Sequence, residues 1–311
     1  MRFSGLLFWV CFNVFLFSSS CSSDKDQSNV VQPAREELNV AYGNAPLQKM
    51  DVYFPRGYNE YTPVVFVIHG GGFIAGTKED FTTQAKLFRD QGFVTVNISH
   101  RLVDTTGLQT MPMVHMPSAV KVSDELADVH SAVEKYQSMA ESWNVGTARM
   151  YIAGHSAGAI LALLYLQGDY NDDKHIRAGA NWAGLTDLSI PHDSLLQDLD
   201  PRYIEVLYRA TGVMPSTANN LYYMAISPYW VANISPGMPA ISIFPSENNI
   251  LNIPDEVAFN LHRTQTFHNL LTNRGIPNKL SIYEGSDHGF GNKPGAWEQL
   301  IRETAAFFNE H

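Results

Sequence analysis

The sequence predicts an α/β domain built on a largely parallel sheet, and three observations lead to that class. Apolar runs of strand length alternate with stretches of helical period from about residue 64 onward, which makes βαβ units. The run Arg149–Ala153 and the apolar helix-former run Ala159–Leu166 flank Gly154-His155-Ser156-Ala157-Gly158, so a strand must turn sharply into a helix at a serine. At 45% hydrophobic and 17% charged over 311 residues, the chain has the composition of a globular protein with one large core.

Taken in order, Met1-Arg2 followed by an apolar stretch from Leu6 to Phe17 and by Ser18-Ser19-Ser20-Cys21 has the layout of a secretory signal over residues 1–20, with an apolar segment too short to span a bilayer. The pattern is similar to a bacterial lipoprotein signal in which Cys21 becomes the lipidated first residue. Ser18 stands where an aliphatic residue is usual, so ordinary cleavage to a soluble periplasmic or extracellular protein is the alternative. With Cys11 removed, Cys21 is left alone and no disulfide framework is expected. Residues 21–35 are polar and without period, as in a flexible tether, and the globular domain is expected over 36–311.

Glu36–Tyr42 and Gln48–Phe54 read as two short strands, and Val64–Ile68 as a buried one ending in His69-Gly70-Gly71-Gly72-Phe73. Three glycines in succession let backbone amides approach a developing oxyanion; a phosphate cradle would need a different Lys and Ser/Thr spacing from that of Gly76-Thr77-Lys78. Phe81–Gln91 has helical spacing and Phe93–Ile98 is the next strand. Val103–Ser118 is an irregular loop, either lining a pocket mouth or a plain surface excursion. Ser123–Trp143 is a long amphipathic helix with Ser123 as its expected N-cap and His130 as a packed or surface residue. Ala178–Ala183 is a further strand.

From Ile190 to Met238, prolines punctuate short helical pieces rich in Tyr and Trp. The segment is a lid over 190–238 or an inserted helical pair packed by its own aromatics. Pro239–Phe244, Leu280–Tyr283, Pro254–Arg274 and Ala296–Asn309 complete the strands and helices. A histidine on the loop after the last strand, His288 between Asp287 and Gly289, can reach back to Ser156 as a general base.

Together, His69–Phe73, Ser99-His100-Arg101-Leu102, Gly154–Gly158, Ser227-Pro228 and Asp287-His288-Gly289-Phe290 make the chain resemble the α/β-hydrolase superfamily, in its esterase/lipase branch with the HGGG motif. The resemblance implies a mostly parallel sheet with helices on both faces and a small helical lid, Ser156 as nucleophile, His288 as base, and the amides of Gly71, Gly72 and Ala157 as oxyanion hole. The triad acid is where the chain departs from the family. Relatives place an Asp at the position of Asn248; we expect Glu247 to serve instead, with Asn248, Asp187 or Asp255 as alternatives, and Asp287 poorly placed beside the histidine.

The expected function is a secreted serine hydrolase cleaving small acyl or carbohydrate-linked carboxylic esters without metal or organic cofactor. An amidase, peptidase or arylformamidase of the same fold, or a binding protein that has lost turnover, are the alternatives. The histidines are scattered and no mature-domain cysteine is available for a metal site. A formal charge of −10 argues against nucleic acid as a partner, and a membrane is expected to be met only through an anchor at Cys21.

Overall fold

The computed structural model describes residues 31–311 apart from Asn252. The readings made on residues 1–20, on Cys21 and on the first part of the tether lie outside the described residues.

Eight strands form one sheet: β1 (Arg35–Ala41), β2 (Lys49–Phe54), β3 (Val64–Ile68), β4 (Val94–Ile98), β5 (Met150–His155), β6 (Ile176–Trp182), β7 (Ala240–Glu247) and β8 (Asn278–Asp287). Their spatial order is β1-β2-β4-β3-β5-β6-β7-β8, with β2 antiparallel to both its neighbours, β1 and β4, and β3 to β8 parallel to one another. Period-two alternation splits β3 between two cores. Val64, Phe66 and Ile68 face one side, and Val65 and Val67 the other. That is why all five residues of this strand are fully buried and why no polar position interrupts it.

Helices α1 (Thr82–Asp90) and α8 (Ala296–Glu310) cover one face, through Phe88, Phe308 and Leu300 against Trp182 and Tyr151. On the other face lie α2 (Val122–Trp143) and α3 (Ala157–Gln167), the latter buried along its whole length. Between β6 and β7 the chain forms α4 (Pro201–Thr211), α5 (Asn220–Ala225) and α6 (Pro228–Ile234), and α7 (Glu256–Asn273) joins β7 to β8. Among the described residues no helix is long and apolar enough to cross a membrane.

Of the boundaries that differ from expectation, three have a specific physical reason. The N-cap of α2 is Lys121 rather than Ser123, because the Asp124 carboxylate accepts the Lys121 amide at 2.9 Å and closes the first turn from inside. Strand β7 runs past Pro245 to Glu247, with a register irregularity there, and β8 runs past Gly285 to Asp287. Pro245 and Gly285 read as strand ends in a local pattern, yet ladder pairing carries both strands three or four residues further, up to the site.

The topology brings distant segments together. The chain steps from β3 to β4 on one side and then returns to β5 on the other, so the loops after β3 and β5 leave the sheet side by side, at the point where an open α/β sheet opens a crevice. Ile68 pairs with Gly154, and Glu247 pairs with Asp287. The residues immediately after these pairs are the ones the sequence marks as chemical.

Candidate active site

Ser156 sits between β5 and α3 with φ +53° and ψ −121°, a conformation that a residue with a Cβ adopts only under strain of about 1–3 kcal/mol. Two glycines permit it. A Cβ on Gly154 would lie 2.2 Å from the carbonyl oxygen of Gly158, and one on Gly158 would lie 2.2 Å from that of His69. The close approach of α3 to the loop after β3 therefore requires bare backbone at both positions. The Ser156 amide is held by the Trp182 carbonyl at 2.9 Å, so the bend is tied to β6 as well.

His288 follows β8 directly, and its Nε2 lies 2.9 Å from Ser156 Oγ. Its Nδ1 lies 2.6 Å from Asn248 Oδ1. An amide oxygen only accepts, so Nδ1 carries the hydrogen and Nε2 presents its lone pair to the serine hydroxyl. Glu247 does not take this position: it is exposed at the end of β7, while the next residue, Asn248, is buried. Adjacent side chains of an extended chain point to opposite sides, so only one of the two can face the imidazole, which corrects the expectation for Glu247. Asp187 and Asp255 are not brought to His288 either. Asp187 accepts the Ser189 amide at 2.9 Å, and Asp255 caps α7 in a left-handed conformation. The Asp287 carboxylate accepts from Gly291 at 3.1 Å.

Two residues that the sequence reading passed over hold this arrangement. His155 Nε2 donates to the His288 carbonyl at 2.8 Å, so the residue before the serine also fixes the backbone of the imidazole. Buried Glu256 accepts the amides of Ile250 and Leu251 at 2.8 and 2.9 Å and pins the loop that follows Asn248. A polar residue beside a nucleophile was a visible signal for His155; nothing local marked Glu256. Burial, and secondarily the neighbouring His155, push the His288 imidazole down to about 3.

The glycine loop is braced from below. His69 Nδ1 donates to the Gly70 carbonyl at 2.7 Å, and the His69 ring stacks on His100 at 4.3 Å. Lys78, almost wholly buried, pairs with Asp51 at 3.0 Å and its amide bonds Ser99 Oγ, which fastens the far end of the loop to β4. Gly71, Gly72 and Ala157 line a cavity of about 400 Å³ that opens on Ser156. Among the described residues the Gly72 amide enters no turn or ladder bond, and Ala157 is the first residue of its helix, so both amides are available to a ligand. Most of the remaining wall is aliphatic, from Leu188, Ile190, Leu195, Leu199, Val206 and Ile253, with Tyr203 and Arg263 also in it. The segment 190–238 therefore supplies wall to the cavity. The loop 103–118 instead packs on α4, where buried Arg209 donates to the carbonyls of Asp104, Thr106 and Val114.

A serine on a strained bend after the fifth strand of this sheet, met by an imidazole delivered from the loop after the eighth, is how an α/β-hydrolase is built, and the chain has that fold. More particularly, residues 50–190 match the BD-FAE family model. A kynurenine formamidase of Salmo salar is 31% identical over 140 residues, 44% of this chain and 41% of that one. A probable isoprenylcysteine alpha-carbonyl methylesterase of Oryza sativa subsp. japonica is 23% identical across 80% of this chain and 57% of its own. The chain spans less than half the length of the kynurenine formamidases it matches, 41% and 46%. Among solved structures, a truncated carbohydrate esterase from gut microbiota superposes with a TM-score of 0.67 at 18% identity, covering 89% of this chain and 95% of that one. Esterase 2 of Thermogutta terrifontis superposes with a TM-score of 0.63 at 22% identity, covering 88% and 91%. These likenesses gather on the esterase branch.

Proposed function

We propose that the chain hydrolyses carboxylic esters through Ser156. The observation that carries this reading is the 2.9 Å separation of His288 Nε2 from a serine hydroxyl held on a strained bend. Ser156 Oγ attacks the ester carbonyl while His288 Nε2 takes its proton, and the amides of Gly71, Gly72 and Ala157 receive the oxyanion. His288 returns the proton to the departing alcohol. Water then hydrolyses the acyl-enzyme by the same route and frees the acid.

Asn248 shapes what such a site does best. Its amide oxygen keeps the imidazole in the productive tautomer, but a neutral partner stabilises the imidazolium less than a carboxylate does. A weak base favours substrates whose leaving group departs readily, so aryl and other activated esters fit better than alkyl amides. The aliphatic wall of the cavity favours an apolar acyl chain over a bare sugar in that position.

An N-formyl amide is the second reading, supported by the formamidase relatives. Rates on matched p-nitrophenyl esters and N-formyl anilines separate the two, the ester reading requiring the higher kcat/KM on esters. A fluorophosphonate probe is expected to label the wild-type chain at Ser156 and to leave Ser156→Ala unlabelled. An unlabelled wild-type chain would sink the hydrolase reading in favour of a binding protein.

A further inference from the structure

One guanidinium stands in the wall of the largely apolar cavity. Arg263, on α7, lines both that cavity and a smaller hollow of about 240 Å³ beside it, which Asp187, His262 and Thr266 also line. Its guanidinium donates to the carbonyl oxygen of Asp187 and, at 2.8 Å, to that of Ser189, and it lies 4.2 Å over the Phe259 ring. Arg263 is half-buried, and the two fully buried cations among the described residues have carboxylate partners: Lys78 has Asp51 at 3.0 Å, and Arg209 has Glu205 at 2.7 Å. Among the described residues Arg263 has no such ion pair. The Asp187 carboxylate acts on it through space and is itself occupied by the Ser189 amide.

A guanidinium has five N–H groups in a planar fork, and two of them serve the backbone here. Tying two carbonyls together needs donors but no charge, and a charge partly withdrawn from water without an ion-pair partner is costly to keep. Burial accordingly pulls this group below its usual range, with Asp187 opposing, while a guanidinium stays protonated at any working pH. An anion arriving in the cavity would supply the missing partner, and the fork geometry suits a carboxylate.

We propose that Arg263 binds a second carboxylate on the acyl half of the substrate, so that the preferred esters are monoesters of α,ω-dicarboxylic acids. This rests on the hydrolase reading. The acyl half is chosen because it stays bonded to Ser156 after the alcohol has left, and its methylenes match the aliphatic wall on the way to Arg263. Hydrolysis adds the hydroxyl of water to the acyl carbon and its hydrogen to the alcohol oxygen. The acyl–oxygen bond breaks, and a dicarboxylate, a proton and the alcohol are released.

The test compares p-nitrophenyl monoesters of glutaric, adipic and suberic acid with p-nitrophenyl esters of the plain fatty acids of the same lengths, in the wild type, Arg263→Leu and Arg263→Lys. The ratio of kcat/KM, carboxylated over plain, is expected to exceed one at some length in the wild type. It should fall about tenfold or more in Arg263→Leu, as for loss of a charge-assisted hydrogen bond, and recover in part in Arg263→Lys. Taking the ratio cancels any general loosening of the wall that Arg263 helps to hold. Preference for the plain ester at every length, or a ratio that Arg263→Leu leaves unmoved, overturns the proposal. If the wild type turns over neither series, the hydrolase reading has failed separately. Calorimetric binding of adipate against hexanoate then decides: tighter adipate binding that Arg263→Leu abolishes supports the anion site, and equal or weaker adipate binding removes it.

Discussion

In the proposed hydrolysis, Asn248 is the residue on which the chemistry turns. It occupies the place of a carboxylate, with its oxygen 2.6 Å from His288 Nδ1, and leaves the imidazole oriented but uncompensated. In that mechanism the base works in its neutral form. With its pKa pushed down to about 3, that form persists until the pH falls toward that value, so kcat/KM of the wild type should stay level down to about pH 5. Asn248→Asp adds a negative charge at contact distance, which favours the imidazolium and raises the pKa of His288. Its acidic limb should therefore move to higher pH, and kcat on p-nitrophenyl esters should rise by about tenfold or more. A lower kcat in Asn248→Asp, with the fold intact, would show that the amide is needed at this position for another reason.

At the scale of elements, the cavity wall depends on how α4 is fastened to the irregular loop 103–118. Arg209 is wholly buried, bonds Glu205 at 2.7 Å, and donates to three carbonyls of that loop, while Glu205 in turn accepts from His115 and from the Met116 amide. Removing one member of a buried pair strips its partner of its main counter-charge. Arg209→Met should thus lower the unfolding free energy by about 3–5 kcal/mol, seen as a lower urea midpoint at unchanged slope. Arg209→Met combined with Glu205→Gln should recover part of the loss. If the single variant unfolds at the wild-type midpoint, the latch contributes nothing to the domain. Because Val206, Leu207 and Tyr203 of the same helix line the cavity, loosening the latch should also raise KM.

Across the whole molecule, burial has produced a set of histidines held neutral. Desolvation lowers the imidazoles of His69 and His155, and takes His100 to about 3 and His268 to about 4, alongside His288. An unfolded histidine accepts its proton near pH 6.5. Between that value and the lower folded values the unfolded chain binds more protons, so stability falls as the pH drops through this window. Glu125, whose carboxyl burial raises well above the ordinary range, works in the opposite direction above about pH 4.5, holding a proton that the unfolded chain releases. Five histidines outweigh one glutamic acid, and the melting temperature should decline steadily from pH 7 to pH 5. A melting temperature that is flat or rises over that range would contradict this account.

The parts of the fold that were legible in the sequence are those encoded by local period. Strand β3 is five apolar residues between breakers, α3 is an unbroken apolar helix, and the bend between β5 and α3 is written in its two glycines. Such features follow from sterics and burial within a dozen residues, and the elements formed within a few residues of where the pattern placed them. Distance decided the rest. Whether Glu247 or Asn248 faces His288 depends on the register of β7 against β8 past an irregularity at Pro245, a matter of ladder pairing between segments some forty residues apart. The cation in the cavity wall was equally hidden, because Arg263 is one charged position on a helix until the segment after β6 and α7 converge around it. Local sterics determine elements and the bend that strains a serine; only tertiary packing selects which side chains meet, since burial and strand register are properties of the assembled chain.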